Sequence, residues 1–243
     1  MRFSRKLKLL TLIILSLSVF FVYKYTNHNN INYTTLGDGL AKGIDCYGRI
    51  DYGYSDYIKD YLKDINKLKN YSNEYTKEDM TIEQLHNTIL MAKKMDNDNT
   101  NSNINQILRD TDYLTMTIGL NDLLYKLSLT SDFTTENLDI IIKEIETSFN
   151  NLIEEITKVY RNKIYIIGYY DVDSDNKFFK MAIQKLNKIY QNNEDVIYIS
   201  TYEISQNKNI FLPNPNSYYP NYKGYQVLSN KIIDKISKKL EKK

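Results

Sequence analysis

From residue 31 onward, short runs of β-branched and aromatic residues alternate with stretches whose apolar positions recur every three or four residues. Ile31 to Leu36 predicts a first strand, ending in a Gly37-Asp38-Gly39 turn. Tyr57/Ile58, Tyr61/Leu62, Ile65 and Leu68 have helical spacing and predict a helix over 54–69, followed by a weak, polar edge strand over 70–75. Ile82, Leu85, Ile89 and Met91/Ala92 predict a second helix over 81–95, and the Asp-, Asn-, Ser- and Thr-rich stretch 96–103 reads as a loop. Tyr113 to Ile118 is a strand running into Gly119-Leu120-Asn121-Asp122. A long amphipathic helix over 135–160 then carries Leu138, Ile145, Phe149, Leu152 and Ile156. Ile164 to Ile167 is the clearest buried strand. It precedes a helix over 177–191, a strand over 196–199 and a last helix with Leu228, Ile232, Ile236 and Leu240. Strands alternating with helices imply a parallel sheet covered on both faces. The expected fold class is α/β: a flavodoxin-like three-layer α/β/α sandwich with a five-stranded parallel sheet, and with ligands expected beyond the carboxyl ends of the strands.

The first thirty residues follow a different pattern. Arg2, Arg5, Lys6 and Lys8 precede an uncharged run from Leu9 to Tyr23. A secretory signal shares this layout but ends in small residues at a cleavage site. Here Tyr23-Lys24-Tyr25 follows, with no such site and no cysteine for a lipid anchor. The run falls a little short of the ~20 residues of a full span, a gap that snorkelling Lys8 and Lys24 and interfacial Tyr23 and Tyr25 can close. The expectation is a basic cytoplasmic segment (1–8), an uncleaved signal-anchor transmembrane helix (9–25), a tether (26–31) and one domain (32–243). The membrane is then a partner through the N-terminal helix, and the domain lies outside the cytoplasm. Secretion after signal cleavage is the alternative.

Composition removes several functions. A net charge of +2 gives no argument for nucleic acid. Cys46 is the only cysteine, so no intramolecular disulfide can form, and a buried or loop thiol is favoured over a reactive one. The 23 tyrosines, with no tryptophan, fit A/T-rich coding better than a dedicated aromatic surface. Asp171, Asp173 and Asp175 alternate as calcium ligands do, yet lack the glycine and the later glutamate of an EF-hand, so an exposed turn is expected and no metal. No phosphate-binding glycine-rich loop is present, so no cofactor is expected.

Three short segments carry candidate chemistry. Leu36-Gly37-Asp38-Gly39-Leu40 follows the first strand, and Gly119-Leu120-Asn121-Asp122 follows a later one. Asn216-Ser217-Tyr218-Tyr219-Pro220-Asn221 precedes Gly224-Tyr225 and the last helix. In order and placement they resemble blocks I, III and V of the SGNH/GDSL hydrolases, a resemblance that covers the chain from about residue 32 to its end. It implies esterase or acyl-transfer chemistry: a serine nucleophile, a histidine base, an aspartate orienting that histidine, and an oxyanion site. Position by position, Gly39 stands for the serine, Tyr219 for the histidine and Asn216 for the aspartate. Asp79 falls where the oxyanion glycine of block II belongs, while Asn121 is the retained oxyanion residue. Asp38 is retained too, as a turn-shaping residue. The cleft is therefore expected among Asp38, Gly39, Asp79, Gly119, Asn121 and Tyr219, with no intact catalytic residue. His28, in the tether, and His86, on a helix, lie far from block V in sequence. Two readings follow. One is a catalytically inactive, membrane-anchored binding or scaffold module of the bacterial cell envelope, its cleft holding a glycan, an acyl ligand or a protein partner. The other is an active esterase, O-acetyltransferase or deacetylase acting on envelope material with rearranged groups.

Overall fold

A computed structural model describes residues 10–20, 22, 31–95, 103–172 and 176–241. Five parallel strands form one sheet: β1 (Ile31–Gly37), β2 (Leu68–Ser72), β3 (Tyr113–Thr117), β4 (Ile164–Ile167) and β5 (Val196–Ile199). Their order is β2-β1-β3-β4-β5, the flavodoxin-like order expected from the sequence. Tyr33 to Gly37 pair in register with Tyr113 to Thr117, and this central pair carries the first two site loops at its carboxyl end.

The sheet is sandwiched between helices. α3 (Tyr54–Asp64) and α11 (Tyr222–Leu240) pack together on one face; α4 (Ile82–Met95), α7 (Thr135–Thr157) and α8 (Lys177–Asn192) cover the other. Leu138, Ile145, Phe149, Leu152 and Ile156 of α7 are all buried, as their spacing required. Thr134 caps this helix by accepting the Asn137 N–H. Shorter helices fill the connections: α2 (Gly39–Lys42), α5 (Ile104–Asp110), α6 (Leu120–Ser128), α9 (Tyr202–Gln206) and α10 (Lys208–Phe211).

Tyrosine is a core residue here: among the described residues nine tyrosines are buried. Each large buried phenol needs a partner for its hydroxyl, and the central strands supply threonines. Tyr33 pairs with Thr115 at 2.9 Å and Tyr54 with Thr35 at 3.0 Å. The Tyr160 hydroxyl accepts the Leu114 N–H at 3.1 Å.

Two boundaries differ from the sequence reading. The helix expected over 54–69 stops at Asp64, because Asn66 turns into the left-handed region (φ 54°) and the Lys67 N–H folds back onto the Leu62 carbonyl. Leu68, read as helical, therefore opens β2, two residues ahead of the edge strand expected over 70–75. α5 and α6 were not expected. The apolar set Leu120, Leu123, Leu124 and Leu127 did mark α6, but it is masked by the block III motif at its start.

Residues 10–20 form a helix, α1, whose large apolar side chains are all exposed and outside the core cluster. Among the described residues no helix is long and apolar enough to cross a membrane. The remainder of the expected anchor, residue 9, residue 21 and residues 23–25, lies outside the described residues, as do the tether residues 26–30 and His28.

Tyr160→Phe leaves the buried Leu114 N–H without an acceptor and should lower stability by about 1–3 kcal/mol. Tyr165→Phe, also buried but with no hydroxyl hydrogen bond among the described residues, should stay within about 0.5 kcal/mol of the parent. Urea midpoints of the two variants check the contrast.

Candidate functional site

The site forms where the carboxyl ends of β1 and β3 meet the block V loop. At the end of β1 the chain turns at Gly37, whose φ of 114° favours glycine and whose missing side chain lets the Thr117 carbonyl approach. The Asp38 N–H donates to that carbonyl at 2.9 Å. Asp38 then caps α2, accepting the Leu40 N–H at 3.1 Å. Its carboxylate is buried and accepts two hydroxyl hydrogen bonds, one from Thr117 at 2.6 Å and one, very short, from Tyr169. No cation pairs with it among the described residues. Burial pushes its pKa up from 3.8 to about 6, against the opposing pull of those donors.

Gly39 is glycine for a different reason. Its φ is not in the left-handed region, so its backbone would accept a side chain. The space is taken: a β-carbon built on Gly39 would lie 2.6 Å from both Cζ and Cε1 of Tyr219, and nearer still to the hydroxyl. Carbon atoms pack at about 3.5–4.0 Å, so a side chain at position 39 requires the outer end of this tyrosine ring to shift. Gly39 and the Tyr219 ring fill one volume between them.

The block V loop holds Tyr219 there. Asn214 donates through Nδ2 to the Cys46 carbonyl at 2.7 Å and accepts the Asn216 N–H at 3.0 Å. Ser217 Oγ accepts the Tyr219 N–H at 3.1 Å, and the Tyr170 hydroxyl donates to the Tyr218 carbonyl at 2.8 Å. Asn221 caps α11 by accepting the Gly224 N–H. The Tyr219 ring is half-buried and its hydroxyl makes no hydrogen bond among the described residues. Burial, and then the negative charges of Asp38, Glu78 and Asp79, raise its pKa further above 10. At neutral pH it is therefore neither a phenolate nucleophile nor a general base.

The other expected positions divide. Asn121 is present, but its side-chain amide donates to two carbonyls of the block II loop, Glu78 at 3.1 Å and Met80 at 3.0 Å. Both of its N–H groups are thus committed to fixing that loop. Asp79 is at the mouth, yet its carboxylate is exposed and paired with Lys77 at 2.9 Å, which lowers its pKa. Gly119 has φ 111° and stands against the Tyr190 hydroxyl. Asp122 serves structure by accepting the Ile82 N–H at the start of α4. Asn216 is exposed, and no hydrogen bond joins its side chain to Tyr219. His86 sits half-buried on α4 without a hydrogen bond or ion pair among the described residues. Cys46 is buried, and burial pushes its thiol pKa up. Asp171 pairs with Lys208 at 2.9 Å, while Asp173 and Asp175 lie outside the described residues. No group of three or more His, Cys, Asp or Glu side chains fit to hold a metal occurs among the described residues.

Sequence reasoning missed the phenols and hydroxyls around Asp38: Thr117, Tyr169, Tyr170 and Tyr190. Thr117 ends β3, and Tyr169 and Tyr170 follow β4 by two and three residues. Their position at strand tips was the available signal.

No protein-family model matches the chain, and no curated protein matches it in sequence. Solved structures do match in fold. The lipase Lip_vut3 from a goat rumen metagenome superposes with a TM-score of 0.65 at 18% identity, covering 84% of this chain and 97% of the lipase. A variant of an acetyl-xylooligosaccharide esterase from Geobacillus gives 0.59 at 15% identity over 85% and 94% of the two chains. A member of the lipolytic G-D-S-L family from Veillonella parvula gives 0.58 at 16% over 84% and 96%. The fold is that of SGNH/GDSL lipases and esterases.

Asp38 holds an extra proton in the folded chain between its unfolded value near 3.8 and its folded value near 6. Stability should therefore fall as pH rises through that window, by about 3 kcal/mol once the transition is complete. Asp38→Asn should remove this slope. Urea midpoints measured from pH 4 to about pH 7 test it, and an unchanged slope in the variant would count against a raised Asp38.

Proposed function

We infer that this SGNH/GDSL-fold domain has lost acyl chemistry and serves as a binding or scaffold module of the bacterial cell envelope, held there by its N-terminal segment. The observation that carries the reading is the Tyr219 ring packed against Gly39, in the volume that a nucleophile side chain would need. Acyl transfer by the fold's usual route needs an oxygen nucleophile, an imidazole to take its proton, and donors for the developing oxyanion. Of the hydroxyls near Gly39, Thr117 and Tyr169 donate to Asp38, Ser217 accepts the Tyr219 N–H, and the Tyr219 phenol is held neutral by burial. Among the described residues no histidine accompanies them, and the Asn121 amide is spent on the block II loop. What remains at the rim is a pair of aromatic faces, half-buried Tyr219 and exposed Tyr218, that suit stacking on a glycan or packing on an acyl chain or a protein segment.

The membrane part of the reading is supported by α1. Its apolar residues are exposed all round, from Leu10 to Phe20. Its two serines satisfy their hydroxyls internally, Ser16 on the Ile13 carbonyl and Ser18 on the Leu15 carbonyl, both at 2.8 Å. A helix bound for lipid has to satisfy its polar groups in this way. The basic residues that precede it in the sequence support a start in the cytoplasm and a domain outside.

A second reading, an esterase or O-acetyltransferase with rearranged groups, draws on the lipases and esterases among the structural neighbours. One assay separates the two. The full chain should show no covalent labelling by a fluorophosphonate and no aryl-ester turnover above a heat-denatured control. The triple variant Gly39→Ser, Asn216→Asp, Tyr219→His removes the ring as it adds the nucleophile, and should label. Its turnover should stay low, since an oxyanion donor is worth about 10²–10³ in rate and Asn121 is committed elsewhere. Labelling of the parent chain would establish the second reading.

A further inference from the structure

Exposed aromatic side chains scattered singly over a surface need no explanation, but one group here is neither scattered nor loose. It lies beside the block V loop, on residues 43–59 and 222–223. Gly43 to Ile50 form a short hairpin closed by the Ile44–Ile50 bridge, with Tyr47 exposed at its turn. Tyr52 and Tyr57 follow, half-buried, their rings edge-to-face at 4.7 Å. Tyr222, the first residue of α11, is exposed. The Tyr57 phenol is raised above its usual 10 by burial first, then by Asp51 and Tyr222, so its hydroxyl lies near both. Cations sit over these rings: Arg49 over Tyr47 at 5.3 Å, Lys59 over Tyr52 at 5.5 Å and Lys223 over Tyr222 at 5.9 Å.

This aromatic shelf is fixed before any ligand arrives. The Ile44 carbonyl accepts the Tyr225 hydroxyl of α11, the Cys46 carbonyl accepts Asn214 Nδ2, and the Gly43 carbonyl accepts the Asp51 N–H at 2.8 Å. Asp45 closes the hairpin, accepting the N–H groups of Tyr47 and Arg49. Rings held this way lose little freedom on contact. The charges cancel as well. Arg49, Lys59 and Lys223 stand against Asp45, Asp51 and Asp56, with Arg49 paired to Asp45 at 2.7 Å and Lys59 to Asp56 at 2.9 Å. No net charge draws an ionic ligand, and ion pairs between the rings deny an acyl chain a continuous apolar bed. The Asp51 carboxylate and the Tyr47, Tyr52 and Tyr222 hydroxyls make no hydrogen bond among the described residues. The ligand that matches is uncharged, with C–H faces for the rings and hydroxyls for these polar groups.

We propose that the shelf binds a neutral glycan, its sugar rings against Tyr222, Tyr57 and Tyr52 and its hydroxyls on Asp51 and the phenols. This rests on the binding-module reading above and deepens it. It names the ligand, and it sets the contact beside Tyr219 rather than in the volume next to Gly39.

The chain has no tryptophan, so one placed at an exposed tyrosine is a lone fluorescent reporter. Tyr222→Trp carries it in the shelf; Tyr125→Trp carries it on α6, which packs against α7 across the sheet. The full chain, in phosphatidylcholine vesicles, is titrated with chitohexaose, cellohexaose and mannohexaose. At least one should shift the Tyr222→Trp emission saturably and leave Tyr125→Trp unchanged. Adding Tyr52→Ala, or Asp51→Asn at its exposed position, should raise the half-saturating concentration several-fold. Silence at position 222 with all three sugars overturns the proposal and leaves the shelf to a protein partner. An equal response at position 125, or unchanged half-saturation in both added variants, also overturns it. The two possible failures are distinguishable: fluorophosphonate labelling of the parent chain removes the module reading, whereas silence at position 222 in an unlabelled chain removes the shelf alone.

Discussion

Two side chains cannot share one volume, and the site follows from that constraint. The ring of Tyr219 lies where a side chain at position 39 would project, so a larger residue there would have to displace the ring. Gly37 differs: its backbone conformation and the approach of the Thr117 carbonyl demand glycine whatever the function. The two glycines of one short turn thus answer to different causes. Restoring a serine alone would meet the ring. Removing the ring alone would leave a slot with no nucleophile in it. Gly39 and Tyr219 are consistent with each other across this contact, as expected of a sequence whose local choices agree with one another.

Around this pair the fold keeps the frame of a hydrolase and redirects its polar groups inward. Asp38 is held by Thr117, Tyr169 and the Leu40 N–H with no cation beside it. A buried carboxylate with only neutral donors stays partly protonated to higher pH than usual, while burial first, and then its negative charge, holds the nearby phenols in their neutral form. Asn121 makes a parallel change, its donors fixing the Glu78 and Met80 carbonyls.

Much of the fold could be read from the sequence because its cause is periodic. The buried strand Ile164–Ile167 and the long helix through Leu138, Phe149 and Ile156 declare themselves by spacing, and strand–helix alternation gives the parallel order. The end of α3 could not be read so, because one residue in a left-handed conformation, Asn66, overrides an apolar pattern that continues past it. At the site, identity and order were visible for Asp38, Gly39, Asn121 and Tyr219. Direction was not. Nothing in the sequence shows that the Asn121 amide points at the block II carbonyls, that the Asp79 carboxylate turns out to Lys77, or that Tyr219 leans over Gly39. Nine of the tyrosines are core residues among those described, two of them pairing their hydroxyls with threonines on the central strands, a use that composition alone does not show.

The packing of Tyr219 on Gly39 can be observed in solution by labelling glycine with ¹⁵N. The chain has eight glycines, so the amide spectrum is sparse. An aromatic ring in contact with Gly39 shifts its resonance, and Tyr219→Leu removes that ring. The Gly39 cross-peak should move further than any other glycine cross-peak on this substitution. A Gly39 cross-peak that stays in place would contradict the shared volume on which the account rests.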